Sequence, residues 1–186
     1  MTNEEKIALA VAAGVTLPHF TNTDNPIDFP MTTSNLIRAK GNLINMAEQG
    51  KFNVIVQGCN CFNTMGGGIA KEIRQRYPAA ASIDIDTVRG DYNKLGNWTE
   101  YDTDKFVIVN AYTQYNMSTG EDVFEYTAFA LILQKLLHTY GSKAMGFPFI
   151  GMGLAGGDKD RIMAMLEQFA TDVRGAGGIV TLVEFG

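Results

Sequence analysis

The sequence predicts a layered α/β domain at residues 35–186, preceded by an extension at residues 1–34. From Leu36 onward, short runs rich in Val and Ile alternate with segments of helical periodicity, which is the pattern of a sheet covered by helices. The length of 186 residues suits one domain with a sizeable core. Residues 1–34 differ, because a short amphipathic helix is followed there by a loop-like stretch rich in Thr, Asn, Asp and Pro.

Six segments of the domain have the composition of strands. They are 36–39, 53–57, 98–101, 106–111, 144–149 and 179–185. The runs 54–56 and 106–109 are continuously apolar, as expected of strands that are covered on both faces.

Four segments are predicted to be helices, namely 43–49, 68–76, 122–139 and 158–174. In the last of them, Ile162, Leu166 and Phe169 recur at the spacing of one helix face. Asp158 suits the N-cap of this helix, and Gly175 suits its end.

Composition argues against several classes of function. The formal net charge of −5 disfavours nucleic acid or an anionic membrane as the main partner. No apolar run approaches the roughly 18 residues that a membrane helix needs. The only two cysteines, Cys59 and Cys61, are too close for an easy disulfide and too few for a zinc site. We therefore expect a reducing, cytoplasmic setting and no metal.

The first unusual segment, 58–68, lies between a predicted strand and a predicted helix. Gly66, Gly67 and Gly68 let the backbone approach a ligand and turn several N–H groups to one side. Asn60 and Asn63 add amide groups that suit ribose hydroxyls. A tight turn would also explain these residue types, but three consecutive glycines between a buried strand and a helix favour a phosphate-binding loop.

The second segment, 151–158, also lies between a strand and a helix, and it matches the G-x-G-x-x-G dinucleotide fingerprint. A Rossmann domain would have this fingerprint near its start and an acid about 20 residues further on. Here only one helix and one strand remain, and Glu184 is about 30 residues away. We keep the phosphate-binding interpretation, and a nicotinamide-dependent oxidoreductase is the least favoured alternative. A Walker A loop is excluded, since no Gly-Lys-Ser/Thr follows a glycine run.

A third loop is predicted at 110–116, where Asn110 and Tyr112 suit either the wall of a sugar site or an ordinary loop. Ligands of α/β sheets bind outside the carboxyl ends of the strands. Two phosphate-binding loops after different strands therefore indicate one diphosphate held from both sides, with a nucleoside at one end and a sugar at the other.

Together, these motifs resemble those of macrodomains, the ADP-ribose-binding family, from about Leu36 to Phe185. The segments that carry the resemblance are Lys40-Gly41-Asn42-Leu43, Gly58-Cys59-Asn60-Cys61 with Gly66-Gly67-Gly68-Ile69-Ala70, Arg76-Tyr77-Pro78, and Phe147-Pro148 with residues 151–158. Cys-Asn-Cys followed by Gly-Gly-Gly-Ile-Ala is similar to the branch of ADP-ribose 1''-phosphate phosphatases in yeast, with related copies in bacteria and phages. The resemblance implies a three-layer α/β/α sandwich with a central mixed sheet.

The resemblance also implies ligand contacts. Gly41, Asn42 and Leu43 would hold the adenine edge, with Asn42 standing where many macrodomains have an Asp that accepts from the adenine amino group. Asn60, Asn110 and Tyr112 would lie near the distal ribose. The residues expected around the diphosphate are Gly66, Gly67, Gly68 and Ile69 on one side, and Gly151, Met152, Gly153, Leu154 and Ala155 on the other.

The implied function is binding of ADP-ribose or a derivative, with hydrolysis of ADP-ribose 1''-phosphate to ADP-ribose and phosphate and without a cofactor. ADP-ribosylated protein is a further expected partner. The alternative is a non-catalytic module that binds ADP-ribose.

No catalytic base is identified from the sequence. Relatives that remove ADP-ribose from glutamate have a Lys near Asn110 and an Asp near Ala155, and the yeast-like phosphatases have a His near Gln57; all three are absent. The only catalytic candidates are Asn60 and Asp158, of which Asp158 is better explained as a helix cap. Cys59 and Cys61 are expected to pack rather than to act as nucleophiles.

Overall fold

The computed structural model describes residues 34–117 and 121–186, so the extension predicted at 1–34 lies outside the described residues apart from Ser34. The strands are β1 (Leu36–Lys40), β2 (Val54–Asn60), β3 (Trp98–Asp102), β4 (Val107–Gln114), β5 (Ala144–Phe147) and β6 (Ile179–Glu184). They form one sheet in the order β1-β6-β5-β2-β4-β3. Only β3 runs antiparallel to its neighbour, so the sheet is mixed as predicted.

Helices cover both faces of this sheet. They are α1 (Leu43–Glu48), α2 (Gly68–Arg76), α3 (Pro78–Ile85), α4 (Tyr126–Tyr140) and α5 (Lys159–Gly175), with a short 3-10 helix at Tyr92–Lys94. Alternation along β2 divides the core: Val54 and Val56 pack with residues of α4 and α5, whereas Ile55 packs with residues of α1, α2 and α3. The predicted three-layer α/β/α sandwich is confirmed.

Within residues 34–117 and 121–186, no helix is long and apolar enough to cross a membrane.

The pattern of α5 explains both its burial and its ends. Ile162, Leu166 and Phe169 are buried as their spacing predicts. The Asp158 carboxylate caps the helix by accepting a hydrogen bond from the Arg161 N–H at 2.9 Å.

Two strands end three residues beyond their predicted ends. β2 continues to Asn60 and β4 to Gln114, with Cys59 and Tyr112 as register partners. The predicted third loop at 110–116 is therefore wrong, because backbone pairing to β2 keeps most of that segment in the sheet. At β5 the difference is opposite: the strand ends at Phe147, before Pro148, which has no N–H to donate.

Helix α3 is absent from the prediction, although Pro78 at its first position and the three alanines that follow favour a helix. Helix α4 begins at Tyr126 rather than at 122, because Phe124 forms an isolated bridge with Gln114 and Glu125 takes the N-cap position.

Candidate functional site

A cleft of about 630 Å³ opens at the carboxyl ends of the five parallel strands. Each of these strands contributes to its lining: Gly41 follows β1, Gly58 lies in β2, Gln114 ends β4, Pro148 follows β5 and Glu184 ends β6. This is the edge at which α/β sheets bind ligands, and the volume suits one nucleotide-sized molecule.

The two glycine-rich segments form facing walls of the cleft. Gly67, Gly68 and Ile69 line it from one segment, and Gly151, Gly153, Leu154 and Ala155 line it from the other. A Cβ added to Gly67 would lie 2.9 Å from Cδ1 of Leu154, so the walls approach each other at this point. The structure thus brings both predicted loops to one cavity.

Backbone geometry at both walls requires glycine. Gly68 has φ +52° and Gly151 has φ +75°, in the left-handed region that disfavours other residues. A Cβ on Gly151 would also overlap the ring of Phe124. At the first wall, the start of α2 leaves the N–H groups of Gly68 and Ile69 without intrahelical partners, and Gly67 provides no side-chain cap. These donors suit an anion.

At one end of the cleft, Asn42 and Glu72 form a fixed pair. The Asn42 side-chain oxygen accepts from the Asn45 N–H at 2.9 Å and so caps α1. Its Nδ2 donates to both carboxylate oxygens of Glu72, at 2.9 and 3.0 Å. Nη1 of Arg76 donates to Oε1 of Glu72 at 2.8 Å. Glu72 is therefore held in the wall beside the residues expected to contact adenine.

Several predicted site residues do not line this cleft, and local hydrogen bonds explain where they lie. Asn60 closes a turn, with Oδ1 accepting from the Phe62 N–H at 2.9 Å and Nδ2 donating to the Thr64 hydroxyl at 2.6 Å. Asn63 donates to the Asp84 carbonyl oxygen and the Thr87 hydroxyl. These amides are engaged within the protein rather than directed into the cavity.

Asn110 and Tyr112 are also misplaced by the sequence prediction, because both belong to β4 and are fully buried. Nδ2 of Asn110 donates to the Ala80 carbonyl at 3.0 Å, and its Oδ1 accepts from Gln57 at 2.7 Å. The Tyr112 hydroxyl donates to Oδ1 of Asp84 at 2.7 Å. The predicted position beside a sugar is corrected to a position in the core.

Three further predicted residues, Gly66, Met152 and Asp158, are likewise absent from the lining. The Met152 N–H, expected to bind the diphosphate, donates to the Phe149 carbonyl at 3.1 Å. The Asp158 carboxylate is the cap of α5 and so serves the helix.

Behind the first glycine-rich segment lies a buried charged cluster that the sequence does not predict. Nζ of Lys94 donates to the Cys61 carbonyl at 3.3 Å and to Oδ1 of Asn63 at 3.2 Å. It lies 3.7 Å from Oδ1 of Asp84 and 4.4 Å from the centre of the Tyr112 ring. The side chains of Lys94 and Asp84 are only 6% and 2% exposed. Through its contacts with Cys61 and Asn63, the cluster holds the segment that precedes the three glycines 66–68 in place.

Acid–base chemistry in the cleft is limited by the side chains that line it. Among the described lining residues, only Glu72 and Glu184 are titratable. Burial raises the pKa of the Cys59 thiol, and it raises that of Cys61 to about 11. Both thiols are therefore protonated at neutral pH, which agrees with the expectation that they pack.

The prediction also misses several lining residues, although signals for them exist. Glu72 stands four positions after Gly68 and so shares its helix face. Glu184 and Phe185 follow the rule for carboxyl ends of strands that identified the glycine loops. Phe149 and Gln114 could be recognised as lining residues only once the ends of β5 and β4 were known from the structure.

No family model matches the chain. A sequence relative is the uncharacterized 17.5 kDa protein in the tk-vs intergenic region of Enterobacteria phage T4. It is 31% identical over 141 residues, which cover 71% of this chain and 88% of the phage protein.

Solved structures with the same fold include macrodomains. That of Thermus aquaticus DarG superposes with a TM-score of 0.62 at 16% identity, covering 80% of this chain and 97% of that one. Thermosipho africanus DarTG in complex with ADP-ribose gives a TM-score of 0.63 at 13% identity, covering 81% of this chain and 42% of that one. At these identities the likeness concerns the fold, and it confirms the predicted macrodomain architecture.

Proposed function

We infer that this chain, which belongs to the family of the uncharacterized 17.5 kDa phage T4 protein and has the macrodomain fold, binds ADP-ribose in its cleft. The observation that carries this inference is the convergence of both glycine-rich walls, through Gly67 and Leu154, on one cavity at the carboxyl edge of the sheet. The likeness to DarTG, whose solved structure contains ADP-ribose, supports the same ligand.

The distribution of charge gives the ligand a direction. The described lining contains no cation, so the diphosphate is bound by backbone N–H groups of the two glycine walls. Glu72 and Glu184 lie at the end formed by β1, β6 and α2, where their carboxylates repel phosphate. That end also has the apolar side chains of Leu43, Val183 and Phe185 and so accommodates the base.

The test is a calorimetric titration of the full chain with ADP-ribose, compared with a Gly67→Glu variant. A side chain at Gly67 begins 2.9 Å from Leu154, and its carboxylate adds negative charge where the diphosphate is proposed to bind. We expect one ligand per chain for the wild type and binding weakened by about a hundredfold or more in the variant, since charge repulsion and lost space act together.

Gly175→Ala is the matched control, because Gly175 ends α5 outside the cleft and a Cβ there meets nothing within 4 Å. It should bind like the wild type. Absence of wild-type binding at millimolar ligand would contradict the proposal, as would an unchanged affinity of a folded Gly67→Glu variant.

Hydrolysis of ADP-ribose 1''-phosphate is the catalytic form of this proposal. It is supported by the Cys-Asn-Cys and Gly-Gly-Gly-Ile-Ala motifs, which resemble those of the ADP-ribose 1''-phosphate phosphatase branch. The assay is phosphate release by the wild type and by Gly67→Glu. Release in the wild type that is lost in the variant supports hydrolysis, whereas equal rates contradict it.

A non-catalytic module that recognises ADP-ribose, free or on protein, is the second candidate. It is favoured by the described lining, in which Glu72 and Glu184 are the only titratable groups and neither is paired with a nucleophile. It predicts saturable binding of ADP-ribose and ADP-ribosylated protein, with no product after prolonged incubation. Any turnover that requires the cleft would exclude it.

A further inference from the structure

We propose that Glu72 is the residue that selects the nucleobase, favouring a base with an exocyclic amino group over one with a keto oxygen. This inference rests on the proposed binding of ADP-ribose and concerns the base end of the same cleft. Glu72 is not among the residues that the sequence motifs single out. It lies on α2 and lines the cavity together with Asn42 of the β1–α1 connection.

The Glu72 carboxylate is held in one position. Its side chain is 30% exposed, and it accepts from Nδ2 of Asn42 at 2.9 and 3.0 Å and from Nη1 of Arg76 at 2.8 Å. Arg76 is itself fixed, since its Nη2 lies 2.6 Å from Oε2 of Glu48. A carboxylate has about four acceptor sites. Glu72 therefore retains capacity for a hydrogen bond from a ligand, with little freedom to move away from it.

The hydrogen bonds of Asn42 determine which polar atoms this end offers. Its Oδ1 faces the Asn45 N–H, which directs Nδ2 to Glu72. The amide donor is thus used inside the protein, and the side chain that remains for the ligand is the Glu72 carboxylate, an acceptor.

A side chain that offers only acceptor oxygens distinguishes bases by whether the facing edge of the base carries a donor or an acceptor. The 6-amino group of adenine donates to the Glu72 carboxylate, and a hydrogen bond to a charged group is among the stronger ones. The 6-keto oxygen of hypoxanthine would instead place a second acceptor against that carboxylate, with no donor between the two oxygens. A site whose polar group is left unpaired rejects such an analogue strongly.

The experiment compares ADP-ribose with its hypoxanthine analogue, inosine diphosphate ribose, by calorimetric titration of the full chain. The wild type should prefer ADP-ribose by about ten- to a hundredfold. In Glu72→Gln the amide can donate to the keto oxygen, so the preference should fall to about threefold or less. Glu72→Ala, a second variant that keeps helix propensity, should lose the preference through weaker binding of ADP-ribose.

Glu167→Gln is the matched control, because it makes the same substitution at an exposed position of helix α5 that does not line the cleft. It should keep the wild-type preference. Equal wild-type affinity for both ligands would overturn the role of Glu72, as would full preference in Glu72→Gln or loss of the preference in Glu167→Gln. Binding of neither ligand by the wild type would instead contradict the proposed function itself.

Discussion

Replacing Lys94 with Met is expected to destabilise the protein strongly, because Asp84 would be left buried without its cation. The side chains of Lys94 and Asp84 are 6% and 2% exposed, and water cannot readily replace the lost partner. The substitution also removes donors to the Cys61 carbonyl and to Asn63. Breaking one side of a buried ion pair costs about 3–5 kcal/mol of unfolding free energy. For a chain of this size, that corresponds to a fall in Tm of roughly 6–20 °C.

The assay is urea unfolding followed by fluorescence of Trp98, the only tryptophan of the chain. Asp84→Asn, measured alone and together with Lys94→Met, completes a double-mutant cycle. The double variant should be more stable than the sum of the single effects predicts, by about 2 kcal/mol, since neither partner then remains buried as a lone charge. A Lys94→Met cost below about 1 kcal/mol, or additive effects, would refute the role assigned to the pair.

Three further predictions concern single positions. Gly151→Ala should lower the unfolding free energy by about 2 kcal/mol or more, because φ at this position is +75° and a Cβ would overlap the Phe124 ring. A change below about 0.5 kcal/mol in urea unfolding would contradict this. Asp158→Ala should lower the unfolding free energy by about 1 kcal/mol, because the hydrogen bond that caps α5 at the Arg161 N–H is lost. The affinity for ADP-ribose should stay within about twofold of the wild type. A large loss of affinity would show that Asp158 is a ligand-binding residue. Burial raises the pKa of Cys61 to about 11, so little of the reactive thiolate is present at pH 8. Iodoacetamide should therefore alkylate Cys61 about a hundred times more slowly in the native chain than in urea. Equal alkylation rates, measured by mass spectrometry, would contradict this.

Periodicity and composition predict the secondary structure well where the segments are long and apolar. Helix α2 has its predicted bounds, and α5 differs by one residue at each end. The ends of β2 and β4 were not predictable from local sequence, because Cys59 and Tyr112 remain in the sheet by pairing with each other's strand. The composition of 110–116 is typical of a loop, but pairing with the neighbouring strands β2 and β3 keeps residues 110–114 in the sheet.

At the site, the backbone contribution was predictable and the side-chain contribution was less so. The glycine walls were predictable because glycine runs stand between a strand and a helix at two places in the sequence. Asn63 and Tyr112 resembled ligand-binding groups because their partners within the protein were unknown. Those partners, Lys94 and Asp84, are more than 20 residues away from Asn63 along the chain. A polar residue beside a glycine loop can form hydrogen bonds either with a ligand or with buried groups of the protein, and only the packed structure distinguishes the two.

The most direct test of the account is an ADP-ribose titration of the full chain, followed by the backbone amide resonances of its glycines in NMR spectra. We expect saturable chemical-shift changes at the amides of Gly67, Gly68, Gly151 and Gly153, which lie in the two walls of the cleft. The amide resonance of Gly175, at the end of α5, should stay unchanged. Unchanged resonances at all four wall glycines at millimolar ADP-ribose would contradict it. So would saturable shifts confined to other parts of the chain.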